Sequence, residues 1–343
     1  MHKLIKKYKI FNEFLVYVNN GKGCQHKIST AATLSAIKSM NIFDRNVKKL
    51  QKERAAASPD VNLYDYLKEE VGFRLSDRIF DIKREFEKAV DLGCSRGYLS
   101  KHILAETVKQ LILCDTSSKM LEQAESTPGL KITKLEMDEE KLDFEENSID
   151  IIMSNLSLHW VNDLPGCFSK VLRCLKPDGV FMASLFGGDT LYELRSSLQL
   201  AELERKGGIA PHISPFTQIR DVGGLLNQAG FTMLTIDTDE IVVGYPTMFE
   251  LMYDLKGMSE NNAALNRPLH LSRDVMMAAA AIYNEMYQKE NGVSATFQII
   301  YFVAWKPGPN QPQSLPRGTG EVSLKDLGKV IEEGAKKSKN LKE

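Results

Sequence analysis

The chain has 343 residues, of which 43% are hydrophobic and 26% are charged, and its formal net charge is -1. This composition excludes a largely disordered chain, and the near-zero charge excludes an overall field that attracts nucleic acid, so we expect no nucleic-acid partner. Five cysteines without a Cys-x-x-Cys pair argue against a disulfide framework and a thiolate zinc site. A reducing, matrix-like compartment fits this cysteine content.

The first predicted element is a basic amphipathic helix within residues 1–40. Its apolar residues recur every three or four positions and share one helical face: Leu4, Tyr8, Phe11, Leu15 and Val18. Seven lysines and a single acid, Glu13, lie in these 40 residues, and serines and threonines follow the helix. The segment predicts a mitochondrial targeting presequence, with a basic disordered tail as the alternative. No apolar run approaches the roughly 20 residues that span a bilayer.

Residues 41–88 predict an N-terminal helical segment. Tyr64, Leu67, Val71 and Leu75 lie on one helical face, which Ile79 and Ile82 continue.

Residues 89–306 predict one domain in which strands and helices alternate. Apolar strands are expected at 89–92, 111–114, near 131–135, at 149–154 and at 180–184, and helices at 98–108, around 119–124 and at 168–175. This alternation predicts a doubly wound, Rossmann-like α/β fold with a parallel sheet.

Beyond residue 185 the helices lengthen. We expect helices at 191–206, 222–228, 248–255 and 275–287, and strands at 233–243 and 296–305 that complete the same sheet. Residues of about 190–290 are predicted to form a helical insertion that covers the mouth of the site. Residues 307–343, rich in Pro, Gly, Gln and Ser, predict a flexible tail.

The predicted cofactor site begins where the first strand ends, at Asp91, Gly93, Ser95 and Gly97. Ligands of open parallel sheets bind beyond the carboxyl ends of the strands. A dinucleotide fingerprint requires glycine at positions 95 and 98, which are serine and tyrosine here. The acid and the glycines at 93 and 97 instead match the Asp-x-Gly-x-Gly-x-Gly pattern of S-adenosylmethionine (SAM) enzymes. Asp115, followed by Thr116, ends the second strand and is placed to accept ribose hydroxyls.

Polar residues after the next two strands extend this pattern. Asp138 and Glu139 follow the third strand, and Asn155 follows the fourth. Their order resembles the class I SAM-dependent methyltransferases across about residues 89–185. In that superfamily an acid after the third strand faces the adenine amino group, and the residues after the fourth strand lie beside the transferred methyl group.

Longer segments resemble the NADH dehydrogenase (complex I) assembly factor 5 family, an arginine-hydroxylase of mitochondria. They are 41–45, 157–165, 186–195 and 211–216, and the similarity runs from about 41 to 306. The resemblance implies a peripheral protein on the matrix side of the inner membrane. It also implies SAM as cofactor and hydroxylation of an arginine in a complex I subunit, with this subunit and early assembly intermediates as partners. The family's loop has glycine where this chain has Ser95.

Four residues are candidates for the catalytic site: His159, Asp189, Tyr192 and Glu193. Asp189 and Glu193 are hypothesised to receive the substrate guanidinium by charge-assisted pairing, and His159 to act as general base. The alternatives are a carboxylate that caps its own helix and a packed core histidine. Hydroxylation needs activated oxygen, usually at iron held by two histidines and a carboxylate, and the six histidines form no such motif, so no metal ligand is assigned.

Two other functions stay open at this point. One is a SAM-dependent methyltransferase acting on a protein or carrier-bound carboxyl group or on arginine. The other is a non-catalytic assembly chaperone that keeps the fold.

Overall fold

The computed structural model describes residues 41–289, 292–309 and 311–312. The predicted presequence and residues 313–343 of the predicted tail lie outside them. The described chain begins with two helices, α1 (Arg45–Ala56) and α2 (Tyr66–Phe80). Asp44 caps α1, because its Oδ1 accepts from the backbone N–H of Val47 at 3.1 Å. The face predicted for α2 is confirmed within the helix, since Leu67, Val71, Leu75 and Ile79 are buried, whereas Tyr64 and Ile82 lie outside its ends.

Within the described residues, eight strands form one sheet. They are β1 (Phe86–Leu92), β2 (Val108–Asp115), β3 (Lys131–Glu136), β4 (Ile149–Asn155), β5 (Leu175–Phe186), β6 (Thr232–Tyr245), β7 (Gln288–Lys289) and β8 (Gly292–Trp305). The order is β3-β2-β1-β4-β5-β8-β6, with β7 paired to β8. The first five strands run parallel, and β8 is antiparallel to β5 and β6. The strand order reverses between β1 and β4, which is where such sheets bind ligands.

Helices cover both faces of the sheet and confirm the predicted doubly wound α/β fold. They are α3 (Ser118–Glu122), α4 (Leu164–Cys174), α5 (Tyr192–Lys206), α6 (Ile219–Ala229), α7 (Met248–Gly257) and α8 (Arg273–Tyr287). Alternate strand residues pack on α2, α5, α7 and α8 on one face and on α4 and α6 on the other. None of the helices within the described chain is long and apolar enough to cross a membrane.

One predicted helix, at 98–108, is wrong. Only a short 3-10 turn, Ser100–His102, forms there. The hydroxyl of Ser100 donates to the carbonyls of Gly97 at 3.1 Å and Glu125 at 2.6 Å. Such side-chain bonds compete with the helical ladder, and they tie this segment to the chain that follows α3. The helix predicted around 119–124 is shortened to the five residues of α3.

Candidate functional site

The loop after β1 has a left-handed backbone at three alternate residues. The φ angles are 74° at Gly93, 51° at Ser95 and 83° at Gly97. Asp91, the last acid of β1, is fully buried, and neither of its carboxylate oxygens has a hydrogen-bond partner within residues 41–289, 292–309 and 311–312. Burial, together with the nearby Asp115 carboxylate, raises the pKa of Asp91 to about 8. Asp91 is therefore an acid whose oxygens lack any donor in the described structure.

Asp115, at the end of β2, is also fully buried but has three donors. Its Oδ1 accepts from the backbone N–H of Ser117 at 2.8 Å, and its Oδ2 accepts from the backbone N–H of Ser95 at 3.0 Å. The third donor is Lys52 of α1, whose Nζ lies 2.9 Å from Oδ2. Thr116 follows and is half-buried. The second predicted cofactor acid therefore faces a lysine of the N-terminal helix.

Arg45, also on α1, pairs with the two acids that follow β3. One guanidinium nitrogen lies 2.8 Å from Oδ1 of Asp138 and contacts the carboxylate of Glu139. Glu139 also accepts from the hydroxyl of Ser157 at 2.6 Å. Burial opposes ionisation of Glu139, but Arg45 and Lys52 lower its pKa to about 2. Arg45, Lys48 and Lys52 form a stripe on one face of α1, and two of its members, Arg45 and Lys52, pair with three predicted cofactor acids.

Asn155, at the end of β4, is bonded within the protein. Its Nδ2 donates to the carbonyl of Lys68 at 2.9 Å, and its Oδ1 accepts from the hydroxyl of Ser184 at 2.8 Å. These bonds hold the end of β4 to α2 and β5.

His159 lies in the 3-10 turn Leu158–Trp160 after β4, and its side chain is fully buried. Its ring packs against Phe186, with ring centroids 4.6 Å apart. Nε2 lies 3.2 Å from the carboxylate of Glu260, whereas Nδ1 has no hydrogen-bond partner in the part of the chain that the structure describes. Burial lowers the pKa of His159, so the ring is neutral at physiological pH. Glu260 favours the tautomer with the proton on Nε2, which leaves Nδ1 free to accept a proton.

Glu260, which follows α7, was missed by the sequence reasoning. It accepts from Trp160 Nε1 at 2.8 Å and pairs with Lys68 at 2.7 Å. Burial opposes its ionisation, but Lys68 and Lys48 hold its pKa well below the ordinary range. No local sequence motif identifies Glu260.

The stripe on α1, in contrast, could have been predicted from the sequence, because its basic residues are spaced three and four positions apart and residues at this spacing share a helical face.

The other three candidate residues each contact residues other than His159. Asp189 accepts from the amide of Gln298 at 3.2 Å. Glu193 is 1% exposed, and its two oxygens accept from the hydroxyl and the N–H of Thr296 at 2.6 and 3.1 Å. Tyr192 is 44% exposed and is packed edge-on to another tyrosine. Glu193 is therefore bonded to β8 through both of its oxygens, and within the described chain none of the three residues forms a hydrogen bond or a ring contact with His159.

Two cavities lie close to the residues that surround His159. The larger, about 520 Å³, is lined by Gly188, Arg195 and Phe216 among others. The smaller, about 280 Å³, is lined by apolar side chains, Phe216 and Glu260. The ring of Phe216 lies 5.9 Å from that of His159, so both cavities reach the shell around this histidine. Among the described residues, no group of three or more His, Cys, Asp or Glu side chains is placed to hold a metal ion.

Comparisons with known proteins agree with this arrangement. A family model for a methyltransferase domain matches residues 90–183 and confirms the predicted class I methyltransferase fold. The mitochondrial arginine-hydroxylase NDUFAF5 of Danio rerio is 51% identical over 302 residues, 88% of this chain and 94% of the relative. The protein of that name from Homo sapiens is 52% identical over 294 residues, 85% of each chain. The malonyl-(acyl-carrier protein) O-methyltransferase of Gallionella capsiferriformans (strain ES-2) is 28% identical over 279 residues, 79% of this chain and 94% of the relative.

Proposed function

Because this chain belongs to the family of the mitochondrial arginine-hydroxylase NDUFAF5, we propose that it hydroxylates an arginine of a complex I subunit early in complex I assembly. The observation that carries this proposal is the 51% identity over 94% of a relative of that name. We further propose that the protein works in mitochondria, on the matrix side of the inner membrane, as a peripheral protein that contacts early assembly intermediates. The predicted presequence supports this location.

We propose that SAM binds at the loop 91–97. Two observations support it: the buried oxygens of Asp91 lack a donor within the described chain, and the loop has a left-handed backbone at Gly93, Ser95 and Gly97, the conformation that glycine adopts in tight ligand-binding turns. Asp115 would hold the ribose, and Asp138 would face the adenine. When bound, SAM supplies an electrophilic methyl group on a sulfonium. One observation opposes binding of the ribose without a rearrangement, because Nζ of Lys52 already donates to Oδ2 of Asp115.

For the substrate, we propose that Asp189 receives the guanidinium and that His159 accepts a proton at Nδ1. Asp189 adjoins Gly188, which lines the larger cavity, and its carboxylate accepts from a neutral amide. Arg195, which lines the same cavity, lies close enough for its guanidinium to interact with the charge of Asp189. Glu260 would position His159 by fixing its tautomer. Glu193 is left out of this proposal, because Thr296 engages both of its oxygens. We assign no group to oxygen activation.

A second candidate function is methyl transfer to a protein or carrier-bound carboxyl group or to arginine. The methyltransferase-domain match and the 28% identity to an O-methyltransferase favour it. Methyl transfer asks mainly that the sulfonium and the nucleophile be held in line, because proximity supplies much of the acceleration.

Mass spectrometry of complex I subunits tests these functions. Cells lacking this protein would be complemented with the full chain, and the target arginine compared before and after. A gain of one oxygen atom on arginine supports hydroxylation, a gain of one methylene group on arginine or on a carboxyl group supports methyl transfer, and no change on any residue of the subunits favours the chaperone. Asp189→Asn is expected to reduce the modification at least tenfold. Asp221→Asn, an exposed acid on α6, serves as the matched control and is expected to change nothing. Unchanged modification in Asp189→Asn removes Asp189 from the site.

A further inference from the structure

The ion pair between Lys52 and Asp115 occupies the position proposed for the ribose. Nζ of Lys52 and Oδ2 of Asp115 are 2.9 Å apart, and their side chains are 7% and 0% exposed. The carboxylate of Asp115 and the neighbouring Glu139 outweigh burial and raise the pKa of Lys52, so the lysine is charged. This contact is therefore a buried pair of a lysine and a carboxyl group.

The hydrogen-bonding capacity of Asp115 shows how this ion pair limits the binding of a ribose. A carboxylate offers about four acceptor positions, two on each oxygen. Oδ2 has both positions filled, by Ser95 N–H and Lys52, and Oδ1 has one filled by Ser117 N–H. One position remains, whereas a ribose presents two adjacent hydroxyls. Asp115 can accept both hydroxyls only after Lys52 withdraws.

The rest of α1 is fixed independently of Lys52. At its start, Ile42 and Phe43 donate backbone N–H groups to the side chain of Asn162 at 2.8 and 2.7 Å. One turn before Lys52, Nζ of Lys48 donates to the carbonyls of Ser259 and Asn261 at 2.7 and 3.2 Å. The last turn is held as well, because Gln123 Nε2 donates to the carbonyl of Ala56 at 2.7 Å. Withdrawal therefore involves the side chain of Lys52 alone, and α1 stays in place.

We propose that Lys52 is a built-in competitor for the ribose site. It neutralises Asp115 in the free protein and must be displaced when a nucleoside with two ribose hydroxyls binds. Lys52 thereby sets the affinity of the site without contacting the bound ligand. This inference rests on the proposed binding of SAM.

Calorimetry with S-adenosylhomocysteine tests the competition, using the full chain. Lys52→Met removes the competing ammonium and is expected to bind the nucleoside about tenfold more tightly, since a hydrogen bond to a charged group contributes at least this factor. Lys49→Met is the matched control on the same helix, because Lys49 pairs with the exposed Glu136 at 2.6 Å. Its affinity is expected to equal that of the unmodified protein. Equal or weaker binding by Lys52→Met overturns the proposal.

A second measurement needs no substitution. Lysine acetylation followed by mass spectrometry reports how accessible each ammonium is in the unmodified protein. Lys52 is expected to react several-fold faster when S-adenosylhomocysteine is bound, while Lys49, 40% exposed, reacts equally in both states. Unchanged or slower labelling of Lys52 contradicts displacement. If neither protein nor variant binds the nucleoside, the SAM site itself fails together with this proposal. If binding occurs without displacement, only the present proposal fails.

Discussion

We expect the substitution Glu139→Gln to lower the free energy of unfolding at neutral pH, and the contacts of Glu139 determine how large this loss is. The Glu139 side chain is 1% exposed and is held by Arg45 and the hydroxyl of Ser157. Burial works against ionisation, yet Arg45 and Lys52 lower the pKa of Glu139 from 4.5 to about 2. A pKa difference of about 2.5 corresponds to about 3 kcal/mol of folding free energy at neutral pH.

The pH dependence of this effect has a definite sign. The pKa of Glu139 is lower in the folded state than in the unfolded chain, so its stabilising contribution is complete above about pH 4.5 and is lost as the pH falls through about 2. Glu139→Gln removes the contribution at every pH. The difference in free energy of unfolding between the two proteins is therefore about 3 kcal/mol at neutral pH and shrinks steadily as the solution is acidified.

Urea denaturation, monitored by far-UV circular dichroism at neutral pH and at two acidic values, measures this difference. Glu136→Gln is the matched control, because Glu136 is half exposed and pairs with Lys49 of the same helix. An exposed pair contributes about 0–1 kcal/mol, so this control is expected to stay close to the unmodified protein. A loss below about 1 kcal/mol in Glu139→Gln, or a loss that does not change with pH, would refute the reasoning.

Two further substitutions test other parts of the site. Ser95→Gly is expected to raise the free energy of unfolding by about 0.5–1 kcal/mol, because the left-handed backbone costs a non-glycine residue about 1–2 kcal/mol and the freedom of glycine returns part of it. Urea denaturation measures this, and a lower stability would contradict the left-handed conformation at Ser95. Glu260→Gln is expected to lower stability by about 3 kcal/mol, because Lys68 keeps a buried charge without its partner. The near-UV spectrum should change as well, since Trp160 Nε1 donates to Glu260, and an unaltered spectrum and stability would show that the cluster is not coupled.

The fold was predictable because its signals are local. Apolar runs of strand length, separated by helical periodicity, occur in the sequence at nearly the bounds that the structure gives. The helix expected at 98–108 failed for a tertiary reason. Leu99 and Ile103 have helical spacing and are both buried, but Ser100 bonds to Glu125, a contact that periodicity does not report.

Of the proposed site, only the acidic residues could be predicted from the sequence. Asp91 and Asp115 end neighbouring parallel strands, so the sheet alone brings them together. Their partners come from distant parts of the chain. Lys52 lies 63 positions before Asp115, and Glu260 lies 101 positions after His159. Residue spacing carries no information over such separations, and only the position of α1 and of the segment after α7 on the sheet defines these pairs.

The charges assembled in this way explain how a buried site accommodates so many carboxylates. Asp115, Asp138 and Glu139 are paired with two cations, Arg45 and Lys52. Asp91 has no cation beside it, and its pKa of about 8 means that it is mostly protonated at neutral pH. Three carboxyl groups paired with two cations leave one carboxyl group in excess, and displacement of Lys52 from Asp115 would leave a second. SAM carries a sulfonium, an ammonium and a carboxylate, so its net charge of about +1 offsets part of this deficit of positive charge, whereas an anionic dinucleotide would increase the repulsion. The charge balance therefore favours SAM over a dinucleotide for the same reason that the loop spacing does, and the two arguments are independent.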